Sequence, residues 1–438
     1  MDNFKKSRFI VELPVMADTE TGLALYHTMT EAFLIIDAQQ WSALSSPALV
    51  PPDAETIDIL RAQGFLLDPA VDENTVFECW KQEQVHDFDT ITSKVNVTRK
   101  CNNRCTYCIL DYEPKEMTAA TCMAMDGFYI DFIKEKRPLK ARDDYLGGEP
   151  LLNTKILLAS VGRRSAHCRK QGVNYGFTIT SNGRLLEPGI VSELKKSGLT
   201  GIRVSLAGPK DVHDRLRPSA AGKGTYAEIM KNLTAVSKLA PIIIECQYDS
   251  GSDDYKRMDE IFEDFRTYDI DISEIHFTPI LRKKGESLFN CGLGDPKIAL
   301  ALTKLSAKYG YAQAPQAPGY LCRADFKSMF VFDTDGSIIP CTGFQEGEMA
   351  YGNVFTGIDF IAESQLLKRN LPDQCQNHCP LLPICMGGCR HQALVYKEDF
   401  SGTDCQYDSI KLFLDDYIRT RASEIMEPES QPASEIAA

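Results

Sequence analysis

No run of about 18 consecutive apolar residues occurs in this 438-residue chain, so a membrane-spanning helix is not expected. The opening stretch MDNFKKSRFI lacks the apolar core of a secretory signal, so no signal peptide is expected there. No block of lysine and arginine stands out against a formal net charge of −13, which makes nucleic acid an unexpected partner. Internal repeats and longer low-complexity segments are also missing. What remains is an ordinary globular composition, 43% hydrophobic and 25% charged, in a chain long enough for two or three domains.

Cysteine is the residue in excess. Ten of the fifteen cysteines fall into two constellations. Cys101, Cys105 and Cys108 form a C-x₃-C-x₂-C run reading CNNRCTYC. Far downstream come Cys322 and Cys341, then Cys375, Cys379, Cys385 and Cys389, then Cys405. A disulfide framework belongs to short secreted chains and does not suit this length. Closely spaced thiolates are the soft ligands of iron–sulfur clusters or zinc. Zinc is the plainer reading of the downstream group, but it suits the first triad poorly, because no fourth Cys or His follows at a suitable spacing. Reduced thiols point to a reducing, cytoplasmic compartment.

Residues 1–90 read as a small α+β module, with strand-like stretches at Phe9–Pro14 and within Leu23–Asp37. Helices are expected at Ala38–Ser46 and Ala54–Gln63, the latter broken by Gly64 before Phe65-Leu66-Leu67. A plain N-terminal extension packed on the main domain is the alternative. Residues 91–314 alternate strand, loop and helix. The candidate strands are Lys94–Thr98, Tyr145–Gly148, Phe177–Ser181, Gly201–Leu206, Ile242–Gln247 and Glu274–Pro279, and Asp254–Tyr268 is a helix with one apolar face. Six such units predict an α/β fold with a parallel sheet curved into a partial (β/α)₆ barrel, its active site at the C-terminal strand ends. Residues 315–425 are rich in Cys, Gly and Pro, with little apolar material for a core, and read as a domain stapled by metal. They include a final helix at Ser409–Ile425, and residues 426–438 are expected to be a disordered tail.

The first triad, with Tyr107 before its last cysteine, resembles the signature of radical S-adenosylmethionine (SAM) enzymes. Gly147-Gly148-Glu149-Pro150, at the end of the second strand, resembles that family's GGEP motif. Thr180-Ser181-Asn182-Gly183 and Ser205-Leu206-Ala207-Gly208-Pro209, followed by His213, Asp214 and Arg217, resemble its later strand ends, with Ala207 in place of the usual Asp. The downstream cysteines resemble the SPASM extension of peptide- and protein-modifying enzymes, with one extra residue between Cys375 and Cys379. The resemblance covers about residues 91–410. The module at 1–90 is broadly similar to the leader-peptide-binding domains fused to some peptide maturases.

The resemblance implies a [4Fe-4S] cluster on Cys101, Cys105 and Cys108 whose open iron takes SAM. Gly147, Gly148, Glu149, Pro150, Ser181, Asn182, Ser205 and Arg217 would contact that SAM. The glycines would let backbone approach the ligand, and Glu149 would accept from its ammonium. Two auxiliary [4Fe-4S] clusters are implied. One would sit on Cys322, Cys341 and Cys389, with an open iron or Cys291 as the fourth ligand, and the other on Cys375, Cys379, Cys385 and Cys405. Cys79, Cys122, Cys168 and Cys246 are expected to be ordinary thiols. Sulfatase-maturating enzymes carry an Asp directly after the cysteine matching Cys341; here Thr342 follows it. The implied activity is therefore a peptide maturase that forms a thioether or carbon–carbon crosslink in a ribosomal precursor peptide. A low-potential donor such as flavodoxin or ferredoxin would supply the electron. The alternatives are modification of the sulfatase-maturating type, a radical dehydrogenase or epimerase, or a non-enzymatic protein stapled by zinc.

Overall fold

The computed structural model describes residues 4–17, 20–46, 49, 51–108, 114–282, 288–289, 294–311, 319, 321–344, 347 and 349–426. Cys291 and residues 427–438 of the expected tail lie outside the described residues.

Six strands form the centre: Thr90–Thr98, Lys140–Gly147, Asn174–Ser181, Leu199–Leu206, Ile242–Asp249 and Glu274–Arg282. They are called strands one to six below. All six run parallel, and each pairs with its neighbours in chain order. A helix follows each one: Ala119–Lys136, Thr154–Gln171, Pro188–Lys196, Tyr226–Val236, Asp259–Thr267 and Pro296–Lys308. The fold is thus α/β around a large, mostly parallel sheet, as the alternation predicted. The helix expected at Asp254–Tyr268 is split into a 3₁₀ turn at Asp253–Arg257 and the helix Asp259–Thr267.

Strands buried on both faces read as continuous apolar runs. These strands instead alternate. Val95, Val97, Tyr145, Ile179, Ile202, Val204 and Ile244 are wholly buried and belong to one core with Met125, Leu157, Leu194, Leu233 and Phe265 from the helices. The intervening positions, Lys94, Asp144, Thr180, Arg203, Glu245 and Thr278, line a single cavity of about 540 Å³. Residues from all six strands reach that cavity, so the sheet is curled around a polar lumen. Arg164, wholly buried, ties helices to sheet: it donates to Asp126 (2.7 Å), Asp143 (3.1 Å) and Ser93 (2.9 Å) and lies over the Tyr129 ring.

The segment after residue 315 joins the same sheet. Met329–Phe332 pairs parallel with strand one, and Ser337–Ile339, Gly352–Asn353 and Gly357–Ile358 continue the sheet antiparallel. Phe330, Phe332, Ile338 and Ile339 enter the main core. The expectation of little apolar material in this region is corrected here, because strand one has an open edge and these residues cover it.

Residues 4–90 hold a three-stranded antiparallel sheet, Ile10–Ala17, Glu20–His27 and Phe33–Asp37, with helices at Ala38–Ala43, Ala54–Ala62 and Glu73–Val85. Sequence reading gave no sign of the last helix. This sheet packs on the rest of the chain. Val11, Leu13, Val15 and Tyr26 share a core with Leu381, Ile384 and the helix Tyr407–Met426, through Ile410, Leu414 and Ile418. Phe9 and Phe77 share another with Leu382 and Met386.

His27 is buried at the turn of this sheet. Its Nδ1 accepts from the amides of Met29 (3.3 Å) and Thr30 (3.2 Å), so Nε2 carries the proton and donates to Ser7 Oγ (3.1 Å). Burial pushes its pKa down to about 4. An unfolded histidine takes up its proton near pH 6.5, so this stabilisation is complete above that pH and is lost as pH falls toward 4. The shift is worth on the order of 3 kcal/mol. Denaturant midpoints are expected to fall as pH is lowered from 6.5 to 4, and His27→Asn is expected to flatten that slope. An unchanged slope in the variant would remove His27 as its source.

Candidate active site

Strand one ends at Thr98, and the cysteine loop Cys101–Cys108 crosses the C-terminal ends of the strands. It is held from both sides. Arg104 N and Thr106 N donate to the carbonyls of Pro218 (2.8 Å) and Leu216 (2.9 Å), and Ala220 N donates back to Asn102 O (2.8 Å). Opposite, Asn182 Nδ2 donates to Asn102 Oδ1 (2.6 Å), and Arg184 Nη1 to Asn102 O (2.9 Å). Asn103 N points at Cys101 Sγ (3.4 Å). Burial pushes the Cys101 thiol up to about 11, while Cys108 is exposed.

The GGEP segment lies beneath this loop. Gly148 N donates to Thr98 O (2.8 Å), and Glu149 N to Lys100 O (2.9 Å). A Cβ on Gly147 would stand 2.1 Å from Thr98 O, and one on Gly148 would stand 2.2 Å from Lys100 O. The two glycines thus let backbone approach backbone where the cysteine loop begins. Glu149 is wholly buried and does not line the cavity beside the cysteines. Its Oε1 accepts from Ser181 Oγ (2.9 Å) and Leu151 N (3.2 Å), and its Oε2 from Asn182 N (2.8 Å). Burial outweighs these bonds and pushes its carboxyl pKa up. In this structure Glu149 braces the end of strand three, and Pro150, itself buried, opens the 3₁₀ turn Pro150–Asn153.

The cavity at the loop, about 220 Å³, is lined by Cys101, Cys105 and Cys108 together with Gly147, Gly148, Ser181, Asn182, Ser205 and Arg217. All the family-implied contacts meet there except Glu149 and Pro150. Two buried donors in its wall, Asn103 Nδ2 and Arg217 Nε, have no partner among the described residues. Such orphans suit a polar ligand at this place. Arg217 Nη1 donates to Tyr107 Oη (2.6 Å) and Gln247 Oε1 (3.1 Å). Burial would lower its pKa, but Cys105 and Tyr107 more than offset that, and it stays charged.

His213 is a latch behind this wall. Its Nδ1 accepts from Ala207 N (3.2 Å), and Nε2 meets Thr225 Oγ1 (3.1 Å), which donates to Arg217 O (2.8 Å). Burial keeps this imidazole neutral. Ala207 packs in a small core with Tyr107 and Ile280.

The downstream cysteines fall into two groups. Cys322, Cys341 and Cys389 line a cavity of about 380 Å³. Asp325 and Arg390, neighbours of the first and last of these, form a buried ion pair at 2.6 Å. Cys375, Cys379, Cys385 and Cys405 lie close enough to act on one another electrostatically. Gly388 lets the backbone before Cys389 pass against the backbone before Cys405, since a Cβ there would collide with Asp404 O. Arg369 is buried within reach of Cys322 and Cys385; its Nη1 pairs with Asp325 Oδ2 at 3.6 Å, while its Nε has no hydrogen-bond partner among the described residues. A buried guanidinium between two cysteine groups fits anionic clusters at both. Among the described residues, no three His, Cys, Asp or Glu side chains converge as ligands of a single metal ion. Cys122, Cys168 and Cys246 are buried in the main core, and Cys79 is exposed.

Sequence reading missed the lumen residues. Asp144 accepts from Thr178 and Thr180 (both 3.0 Å), and Arg203 pairs with Glu245 (2.7 Å), which also accepts from Thr278. Their signal was present as polar residues at every second position of parallel strands. Thr342 lines all three cavities: the lumen, the cysteine-triad cavity and the Cys322/Cys341/Cys389 cavity.

Residues 95–244 match the family model described as Radical SAM superfamily. This stretch is a radical SAM domain, and the chain is an enzyme that carries it; such a domain implies SAM and a [4Fe-4S] cluster. The cysteine-type anaerobic sulfatase-maturating enzyme of Clostridium novyi (strain NT) is 23% identical over 329 residues, 66% of this chain and 85% of that protein. GTP 3',8-cyclase of Brucella abortus (strain S19) is 32% identical over 154 residues, 34% of this chain and 41% of that protein. Among solved structures, anSMEcpe with bound AdoMet and Kp18Cys peptide superposes with a TM-score of 0.58 at 17% identity, covering 77% of this chain and 99% of that one. Streptococcus suis SuiB bound to precursor peptide SuiA gives 0.54 at 15% identity, covering 92% and 99%. Both solved structures share its fold.

Proposed function

We propose that this enzyme is a peptide maturase that closes a thioether or carbon–carbon crosslink in a ribosomal precursor peptide. Cys101, Cys105 and Cys108 hold the SAM-binding [4Fe-4S] cluster. Cys322, Cys341 and Cys389 hold one auxiliary cluster, and Cys375, Cys379, Cys385 and Cys405 hold another. Bound SAM and its cluster supply a 5′-deoxyadenosyl radical after one-electron reduction, chemistry no side chain provides. The protein's own part is to position and enclose. Arg217 and Asn103 present unpartnered donors to the SAM cavity, and the His213 latch fixes the segment carrying Arg217.

The observation that carries the reading is the place of Thr342, where the lumen meets both cysteine-lined cavities. A peptide side chain in the lumen is thereby within reach of both, as an oxidative crosslink requires. Thr342 offers no carboxylate base, which argues against formylglycine formation. The strand Phe33–Asp37 is an edge of the N-terminal sheet and could take a leader peptide by strand addition. That a solved relative in fold is named as bound to a precursor peptide supports the same reading.

The test is to incubate cluster-loaded, reduced protein with SAM and the short peptide encoded beside its gene. The expected product is lighter by two hydrogens, and fragment ions between the two linked residues are missing. A peptide of unchanged mass, one heavier by an oxygen, or an aldehyde that reacts with hydrazide would overturn the crosslink. No helix among the described residues is long and apolar enough to cross a membrane.

A further inference from the structure

The lumen is rich in cations for a chain of formal net charge −13. Its two central acids are already satisfied, Asp144 by Thr178 and Thr180, and Glu245 by Arg203 and Thr278. Arg203 is therefore paired, and Arg142 donates to the carbonyls of Ala141 (2.9 Å) and Asn174. Lys94 and Arg323 differ. Neither has a hydrogen bond or ion pair among the described residues, and both line the lumen and the Cys322/Cys341/Cys389 cavity, beside Thr342. Lys94 is half-buried on strand one, in register with Asp144, which is occupied by its threonines.

A half-buried ammonium with no anion at ion-pair distance, beside an exposed guanidinium, leaves a cationic pair free to meet one. A guanidinium matches a carboxylate by two parallel hydrogen bonds, and an ammonium adds a third donor. We infer that Lys94 and Arg323 form a carboxylate subsite, which holds an Asp or Glu side chain or the C-terminal carboxylate of the peptide at the junction by Thr342. The inference rests on the peptide-maturase reading and adds to it a substrate preference. Two cations at the junction of a molecule that is negative overall would also orient an acidic residue.

The test reads occupancy at Lys94 without turnover. Cluster-loaded protein is exposed anaerobically to an acetylating reagent, and Lys94 modification is followed by peptide mapping. The probes are acetyl-Gly-Glu-Gly-amide and acetyl-Gly-Gln-Gly-amide. The glutamate peptide is expected to protect Lys94 at a concentration about tenfold below that of its glutamine counterpart. Arg323→Gln is expected to abolish that difference, with iron content and visible spectrum unchanged; Arg323 is exposed, so folding does not depend on it. Equal protection by both peptides, or protection by neither, overturns the inference. So does a variant that keeps the glutamate preference but shifts the cluster's midpoint potential, which would assign both cations to the cysteine cavity as counter-charges. Failure to form a crosslink in the activity assay leaves this binding result untouched, so the two failures are separable.

Discussion

Alanine at Cys105 is expected to abolish 5′-deoxyadenosine formation and to remove about four iron atoms per chain while leaving the auxiliary clusters in place. The three thiols of the first triad sit on one loop whose backbone is bonded to Leu216 and Pro218 on one side and clamped by Asn182 and Arg184 on the other. That framework does not depend on Cys105 itself, so the loop should persist with only two ligands, too few to retain a cluster. Cys322, Cys341 and Cys389 line a cavity that excludes Cys105. Iron analysis and visible absorbance of anaerobically purified protein check the loss. Full iron content in the variant, or retained SAM cleavage, would refute the ligand assignment.

The second large effect concerns a residue that ligates nothing. Gly148→Ala places a methyl group 2.2 Å from Lys100 O, 2.6 Å from Lys100 C and 2.7 Å from Arg99 O, all backbone atoms that cannot swing aside. The cysteine loop must lift, and overpacking of this kind costs about 1–3 kcal/mol or more. SAM binding is expected to be lost together with the triad's cluster, since loop and GGEP segment share two backbone hydrogen bonds. Gly127→Ala is the control. It lies within the helix Ala119–Lys136 with nothing within 4 Å of the added Cβ, and should stabilise the protein by about 0.5–1 kcal/mol. Calorimetry and SAM titration on the pair separate a local clash from a general intolerance of alanine. Normal SAM affinity in Gly148→Ala would show that the close approach is not needed.

The sequence located each parallel strand but shortened most of them. Strand two was expected at Tyr145–Gly148 and runs Lys140–Gly147, because the charged stretch Lys140–Asp144 does not resemble a buried strand. Its charges belong where they are: Asp143 is paired with buried Arg164, and Asp144 faces the lumen threonines. Thr90–Thr98 was shortened in the same way, at Thr92 and Ser93. The helix Glu73–Val85 went unseen because its buried residues are only Phe77 and Val85. Both cysteine constellations were legible, since ligand spacing along the chain is a local property.

Other facts had no local signature. Glu149 fitted the motif of a ligand contact, yet lies buried under three protein donors, a role set by Ser181 and Asn182 more than thirty positions away. The segment after 315 looked poor in core residues because Met329–Phe332 gains a partner only when folded beside strand one.

By itself the sequence determined the chemistry available: three thiols on one tight loop, seven more downstream, and glycines where backbone must meet backbone. These follow from residue type and short spacing. Only the tertiary structure decided how those pieces face each other. It braced Glu149 with Ser181, Leu151 and Asn182, out of the lining of the cysteine-triad cavity. It also placed Lys94, Arg323 and Thr342, from segments more than two hundred residues apart, at one junction. The reason is that a curled sheet brings alternate residues of distant strands to a common axis, and no window along the chain contains that axis.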